Sequence, residues 1–175
     1  MVGVILMITH IVIDTSYWLE LFKVPGHFKD SNHNKVKLYF KTAIQNNYRL
    51  YISVPVLFEL ANHIAHVDNG SQRHDLAGQF SKTVKQGITI EEPSLNIISS
   101  MAFTVANELS QKLEYFVDRF ESEFVQQGLG FTDASIILDA EKLKNDRNFV
   151  HIWTLDTELK AREPDMENEP FVASA

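Results

Sequence analysis

The sequence predicts an α/β protein built on a mainly parallel sheet. Short apolar runs rich in branched and aromatic residues recur at residues 11–13, 50–53, 88–90 and 150–155, and all but the third lead directly into a helical pattern. Strands that alternate with helical crossovers mark a parallel sheet. The 175 residues are 45% apolar and 22% charged, enough to bury one core and too few for a comfortable second one. A single domain is expected over residues 1–175, its core at about 7–161 and an acidic tail with little to hold it in place over 162–175.

The elements follow in order. The opening MVGVILMI falls short of the roughly 20 apolar residues that span a bilayer, and it lacks the basic leader of an export signal. It reads either as an extra turn of buried chain or as sequence upstream of a start at Met7. HIVI is then a buried strand that ends at Asp14. In NKVKLYFKTAIQNN, Val36, Tyr39, Phe40, Ala43 and Ile44 recur at i, i+3, i+4, i+7 and i+8, one stripe that packs on a sheet. SVPVLFELANHIAH starts a helix at Ser53 or Val54, with Pro55 in the first turn, where its missing N–H is tolerated. Val56, Leu57, Leu60, Ala61 and Ile64 form its buried stripe, while Glu59, His63 and His66 share a polar edge. Residues 95–127 read as one long helix or a hairpin of two, closed by Gly128 and Gly130. GFTDASIILDAEKLKND puts Thr132 at an N-cap and Asp133 in the first turn of a central helix that is apolar nearly all round. VHIWTLD is the last strand, TELKAR a short helical piece, and REPDMENEP has little to bury.

The totals exclude some chemistry. The absence of cysteine rules out disulfides and thiolate metal sites and suits a reducing compartment, so the cytoplasm is the default. A net charge of −7 argues against gripping nucleic acid through bulk positive charge. A site lined by carboxylates can still attract phosphate through bound cations.

Four acids have contexts that bring them together. Asp14 and Asp156 each end an apolar strand, and in a parallel sheet ligand sites lie beyond the carboxyl ends of the strands. Glu59, on the helix after the second strand, and Asp133, in the first turn of the central helix, can reach the same edge. Each has a plain structural reading: Asp14 and Asp156 as N-caps, Asp133 as a first-turn acid favoured by the helix dipole, Glu59 as a solvated helix charge. Jointly they describe a crevice of mutually repelling carboxylates, which a hard divalent cation such as Mg²⁺ or Mn²⁺ relieves. Among the nearby hydroxyls, Ser16 and Thr154 are the ones expected to orient carboxylates or bound water.

The segments IVIDTSYWLELF, YISVPVLFELANHI, GFTDASIILDA and HIWTLDTELKA, in this order, resemble a PIN domain, and more narrowly the VapC-type toxin ribonucleases. The resemblance runs from about residue 11 to 161 and sets Asp14, Glu59, Asp133 and Asp156 on the family's four acidic positions. It implies a three-layer α/β/α sandwich with a sheet of four to five strands, Mg²⁺- or Mn²⁺-dependent hydrolysis of single-stranded RNA, homodimers, and an antitoxin that inserts a segment at the acidic site. The long stretch 95–127, the acidic tail and the replacement of a last strand by FVASA depart from a compact toxin.

The expected mechanism has Asp14, Asp133 and Asp156 holding one or two cations, with Glu59 bound directly or through water. Lys23, Arg49, Lys160 and Arg162 are candidate contacts to the substrate backbone, against their usual role as solvated charges. Tyr17 and Trp18 either stack bases or belong to the core. Two other readings compete. One is a noncatalytic PIN-like module that binds RNA or protein. The other is a zinc hydrolase using Glu59, His63 and His66, although His-x-x-His without HEXXH is a common spacing.

Overall fold

Ile11, Val12 and Ile13 alternate between the two faces of a strand, and all three are fully buried. The strand they form, β1 (Ile8–Ile13), is therefore covered on both sides, as parallel strands usually are. The computed structural model describes residues 7–89, 95–98, 115–145 and 148–172. Beside β1 lie β2 (Arg49–Ser53) and β4 (Asn148–Trp153), and β3 (Leu95–Ile98) pairs with β2. Among the described residues the sheet has four strands in the order β3-β2-β1-β4, and every pairing is parallel.

The helices connect them: α1 (Thr15–Leu21), α2 (Asp30–Gln45), α3 (Val54–Ala65), α4 (Gly70–Thr89), the helical residues 115–127 as α5, α6 (Phe131–Leu143) and α7 (Thr157–Lys160). Val36, Phe40 and Ala43 of α2 are buried and Tyr39 packs beside them, whereas Ile44 is exposed. On α3 the fully buried stripe narrows to Val56, Leu60 and Ile64. α6 is buried continuously from Ala134 to Ala140 and touches β1, β2 and β4, so it is the central helix.

Three elements differ from the sequence reading. The third strand does not start at 88: α4 runs to Thr89, continuing the helical spacing of Leu76, Phe80 and Val84. The first residues of the expected long helix are instead β3, a run of Leu and Ile that pairs with β2. Residues 99–114 of that expected helix lie outside the described residues; 115–127 are helical, widening to a π-turn at Phe120–Phe124 and tightening to a 3₁₀ turn at Val125–Gln127. Gly128 ends it at φ 73°, a left-handed conformation that glycine adopts without strain. The N-cap of α6 is Gly130, not Thr132, because the Asp133 carboxylate accepts the Gly130 N–H at 2.7 Å and extends the helix back to Phe131.

The acidic tail is also held more firmly than its composition suggests. Residues 162–172 fold back along the outer edge of β4; the last three residues of the predicted tail lie outside the described residues. Val150 N donates to Asp165 Oδ2 at 2.8 Å, Asp165 N donates to Val150 O at 3.2 Å, and Ile152 N donates to Glu163 Oε2 at 3.2 Å. Lys160 Nζ is buried and donates to Ile152 O, Glu163 and Glu167 at 2.7–2.9 Å. Further along, the Tyr17 hydroxyl donates to Phe171 O at 2.8 Å. No strand forms there, but the tail satisfies edge groups that a further strand would otherwise pair. Replacing Lys160 with Met is expected to open this strap roughly tenfold more often, read as faster amide exchange at Val150 and Ile152.

Candidate active site

The β1–β4 register builds the centre of the site. Ile13 pairs with Trp153, so Asp14 and Thr154 leave the sheet side by side, and Asp14 N still donates to Trp153 O at 2.9 Å. Asp14 caps α1. Its Oδ2 accepts from Ser16 N at 3.2 Å, Ser16 Oγ at 2.6 Å and Thr154 Oγ1 at 2.9 Å. Both hydroxyls are used twice: Ser16 Oγ accepts from Leu155 N, and Thr154 Oγ1 accepts from Asp156 N, each at 3.0 Å. Two adjacent strand ends are thus tied through one carboxylate. Burial pushes the Asp14 carboxyl up, and the bonds from Ser16 and Thr154 only partly offset that.

The other three acids come from separate helices. Asp156 caps α7, its Oδ1 accepting from Glu158 N at 2.7 Å and Leu159 N at 3.1 Å, and it is exposed. Glu59 Oε2 accepts from Thr15 Oγ1 at 2.8 Å, which draws α3 to the start of α1. Asp133 is bonded through Oδ2 to Gly130 N. Its carboxyl is pushed up to about 6, first by burial, which the Gly130 bond counters, and then by the charges of Asp14, Asp156 and Glu59. That cause brings the sequence-predicted acids together: the three charges that raise Asp133 are the other three carboxylates. The structural reading also holds, since Asp14, Asp133 and Asp156 each serve a helix N-terminus.

The donor set is all oxygen, which suits a hard divalent cation, and mutual repulsion gives a cation something to relieve. As the side chains stand, no group of three or more His, Asp or Glu among the described residues is set to hold a metal ion. Asp14, Asp133 and Asp156 are each bonded at their own helix ends, and Glu59 to Thr15. On the polar edge of α3, His63 feels the Glu59 charge, but burial first and His27 next hold its pKa down. His63 meets the His27 ring edge-on at 4.4 Å, and the exposed His66 turns Nδ1 to Asn62 O at 2.7 Å.

The predicted substrate contacts fare differently. Tyr17 and Trp18 are 1% and 2% exposed and belong to the core, where the Tyr17 ring stacks on Trp153; neither can receive a base. Lys160 is buried in the strap, so it does not face substrate. Lys23 pairs with Asp30 at 3.0 Å and Arg162 with Glu123 at 3.5 Å. Arg49 opens β2, at the opposite end of the strand from Ser53 and the acidic edge. Sequence reasoning missed Thr15; its signal was a hydroxyl directly after the strand-end acid.

No helix among the described residues is long and apolar enough to cross a membrane. Compared with family models and with curated proteins, the chain matches none.

Proposed function

We propose that this chain is a metal-dependent ribonuclease that hydrolyses phosphodiester bonds in single-stranded RNA, on an α/β/α sandwich of the PIN kind. The observation that carries the reading is that Asp133, raised first by burial, also feels the charges of Asp14, Asp156 and Glu59, carboxylates that come from separate elements. Asp14, Asp133 and Asp156 would hold Mg²⁺ or Mn²⁺, with Glu59 bound directly or through water. When bound, such an ion neutralises the carboxylates and the substrate phosphate and lowers the pKa of water. The protein's part is orientation: Ser16 and Thr154 fix Asp14, Thr15 fixes Glu59, and the helix caps hold Asp133 and Asp156 at the crevice. The toxin role, the antitoxin and the homodimer rest on the resemblance, and a cytoplasmic location on the absence of cysteine.

Mn²⁺ titration of the melting temperature tests the cation site. At about a hundred times Kd, a ligand that binds only the folded state adds about 2.7 kcal/mol, or about 5–10 °C for a chain of this size. An unchanged Tm together with intact RNA favours the noncatalytic module. Asp133 adds a pH signature: because it holds its proton to about 6 in the metal-free chain, proton and cation compete, and the apparent Mn²⁺ affinity is expected to fall by about tenfold per unit as pH drops below 6 and to level off above 7.

A further inference from the structure

Ser53 stands at the N-cap of α3, yet its hydroxyl does not cap the helix. It donates instead to Asp139 Oδ2 of α6 at 2.6 Å, with Ser53 fully buried and Asp139 1% exposed. The arrangement is costly. A serine N-cap forgoes a capping bond, and Asp139 Oδ1 is one of two buried side-chain atoms among the described residues, with Trp18 Nε1, that have no hydrogen-bond partner. A leucine or alanine would fill the position on α6 without this cost, since its neighbours from Ala134 to Ala140 are otherwise mostly apolar.

The bond joins the two helices that carry acids outside the β1–β4 pair. Glu59 lies six residues after Ser53 on α3, and Asp133 six residues before Asp139 on α6. α3 and α6 are in contact, and α6 also touches β2. We infer that Ser53 and Asp139 form an internal strut that sets α3 against α6, making Asp139 a positioning residue for Glu59 and Asp133. The inference rests on the acidic edge being the functional site proposed above. Burial also pushes Asp139 up to about 7, with the Ser53 bond and Lys142 opposing, so the group is held in place at the expense of its charged form.

Three variants test it. Asp139→Leu removes the strut while keeping the branched outline of the side chain, Asp139→Asn keeps an acceptor for Ser53, and Ser53→Ala removes the donor. Mn²⁺ affinity, read by electron paramagnetic resonance on folded protein, is expected to fall about 10- to 100-fold in Asp139→Leu and Ser53→Ala and to recover in Asp139→Asn. Wild-type affinity in Asp139→Leu overturns the strut, as does an Asp139→Asn variant as weak as Asp139→Leu. A metal-free crystal structure of Asp139→Leu separates this from the metal reading. Glu59 withdrawn beyond hydrogen-bond reach of Thr15 supports the strut even if the wild type binds no Mn²⁺, and Glu59 still seated on Thr15 overturns it.

Discussion

Replacing Asp14 with Asn is expected to lower RNA cleavage by at least about a hundredfold while leaving the fold intact. The two consequences separate because Asp14 has two jobs. As an N-cap and as acceptor for Ser16 and Thr154 it needs an oxygen, and the amide of Asn supplies one. As a member of the acidic cluster it needs a charge, which Asn lacks. Burial already disfavours that charge in the metal-free protein, and Asp133 feels it as a repulsion. The variant should therefore melt no lower than wild type without cation and gain less from Mn²⁺. Its Asp133 carboxyl should titrate lower. Calorimetric scans with and without Mn²⁺ check the two melting results, a carboxyl NMR titration checks Asp133, and a cleavage assay checks the rate; cleavage at the wild-type rate would remove Asp14 from the site.

The second large effect concerns stability. Burial pushes the Asp139 carboxyl up to about 7 in the folded chain, from 3.8 for the free side chain. A carboxyl whose folded pKa is raised binds its proton more tightly in the native state, so stability is fully present below the unfolded pKa and falls as pH rises through the folded one. For Asp139 that window runs from about pH 4 to 7, and the loss is on the order of 4 kcal/mol. Asp139→Asn should flatten the stability curve by that amount between pH 4 and 8, whatever constant penalty its unpaired amide adds. Asp14 and Asp133 titrate in both proteins, so the difference between the two curves isolates residue 139. Parallel curves would place the folded pKa of Asp139 near its ordinary value.

What could be read from the sequence was what local pattern encodes. HIVI followed by Asp put Asp14 at a strand end because strand period and capping preference are both local; VHIWTLD put Asp156 there too, but β4 stops at Trp153, so Thr154 stands beside Asp14 and Asp156 follows as the N-cap of α7. The central helix followed from its all-round apolarity. The third strand was misplaced because a short branched run at 88–90 fits a strand and the end of an amphipathic helix equally well; the i, i+4 series from Leu76 decides it. The Gly130 cap was hidden because Asp133, not the residue before the apolar run, supplies the capping oxygen. Ser16 and Thr154 were legible as hydroxyls that orient the acids, but which partners the long-range bonds join was not. Thr15 to Glu59 spans 44 residues, Ser53 to Asp139 spans 86, and Thr154 to Asp14 spans 140. Such bonds depend on sheet register and helix docking, which one sequence does not encode locally. The tail is a similar case: its glutamates read as solvated charges until Lys160 and the β4 edge provide their partners.

The central claim is that four carboxylates gathered at one sheet edge serve a divalent cation and, through it, phosphodiester hydrolysis. Incubating the wild-type chain with single-stranded RNA in Mn²⁺, and in parallel with a chelator, tests it most directly. Cleavage products with Mn²⁺ and intact RNA with the chelator are the predicted result. Intact RNA in both, with no change in Tm on adding Mn²⁺, would contradict it.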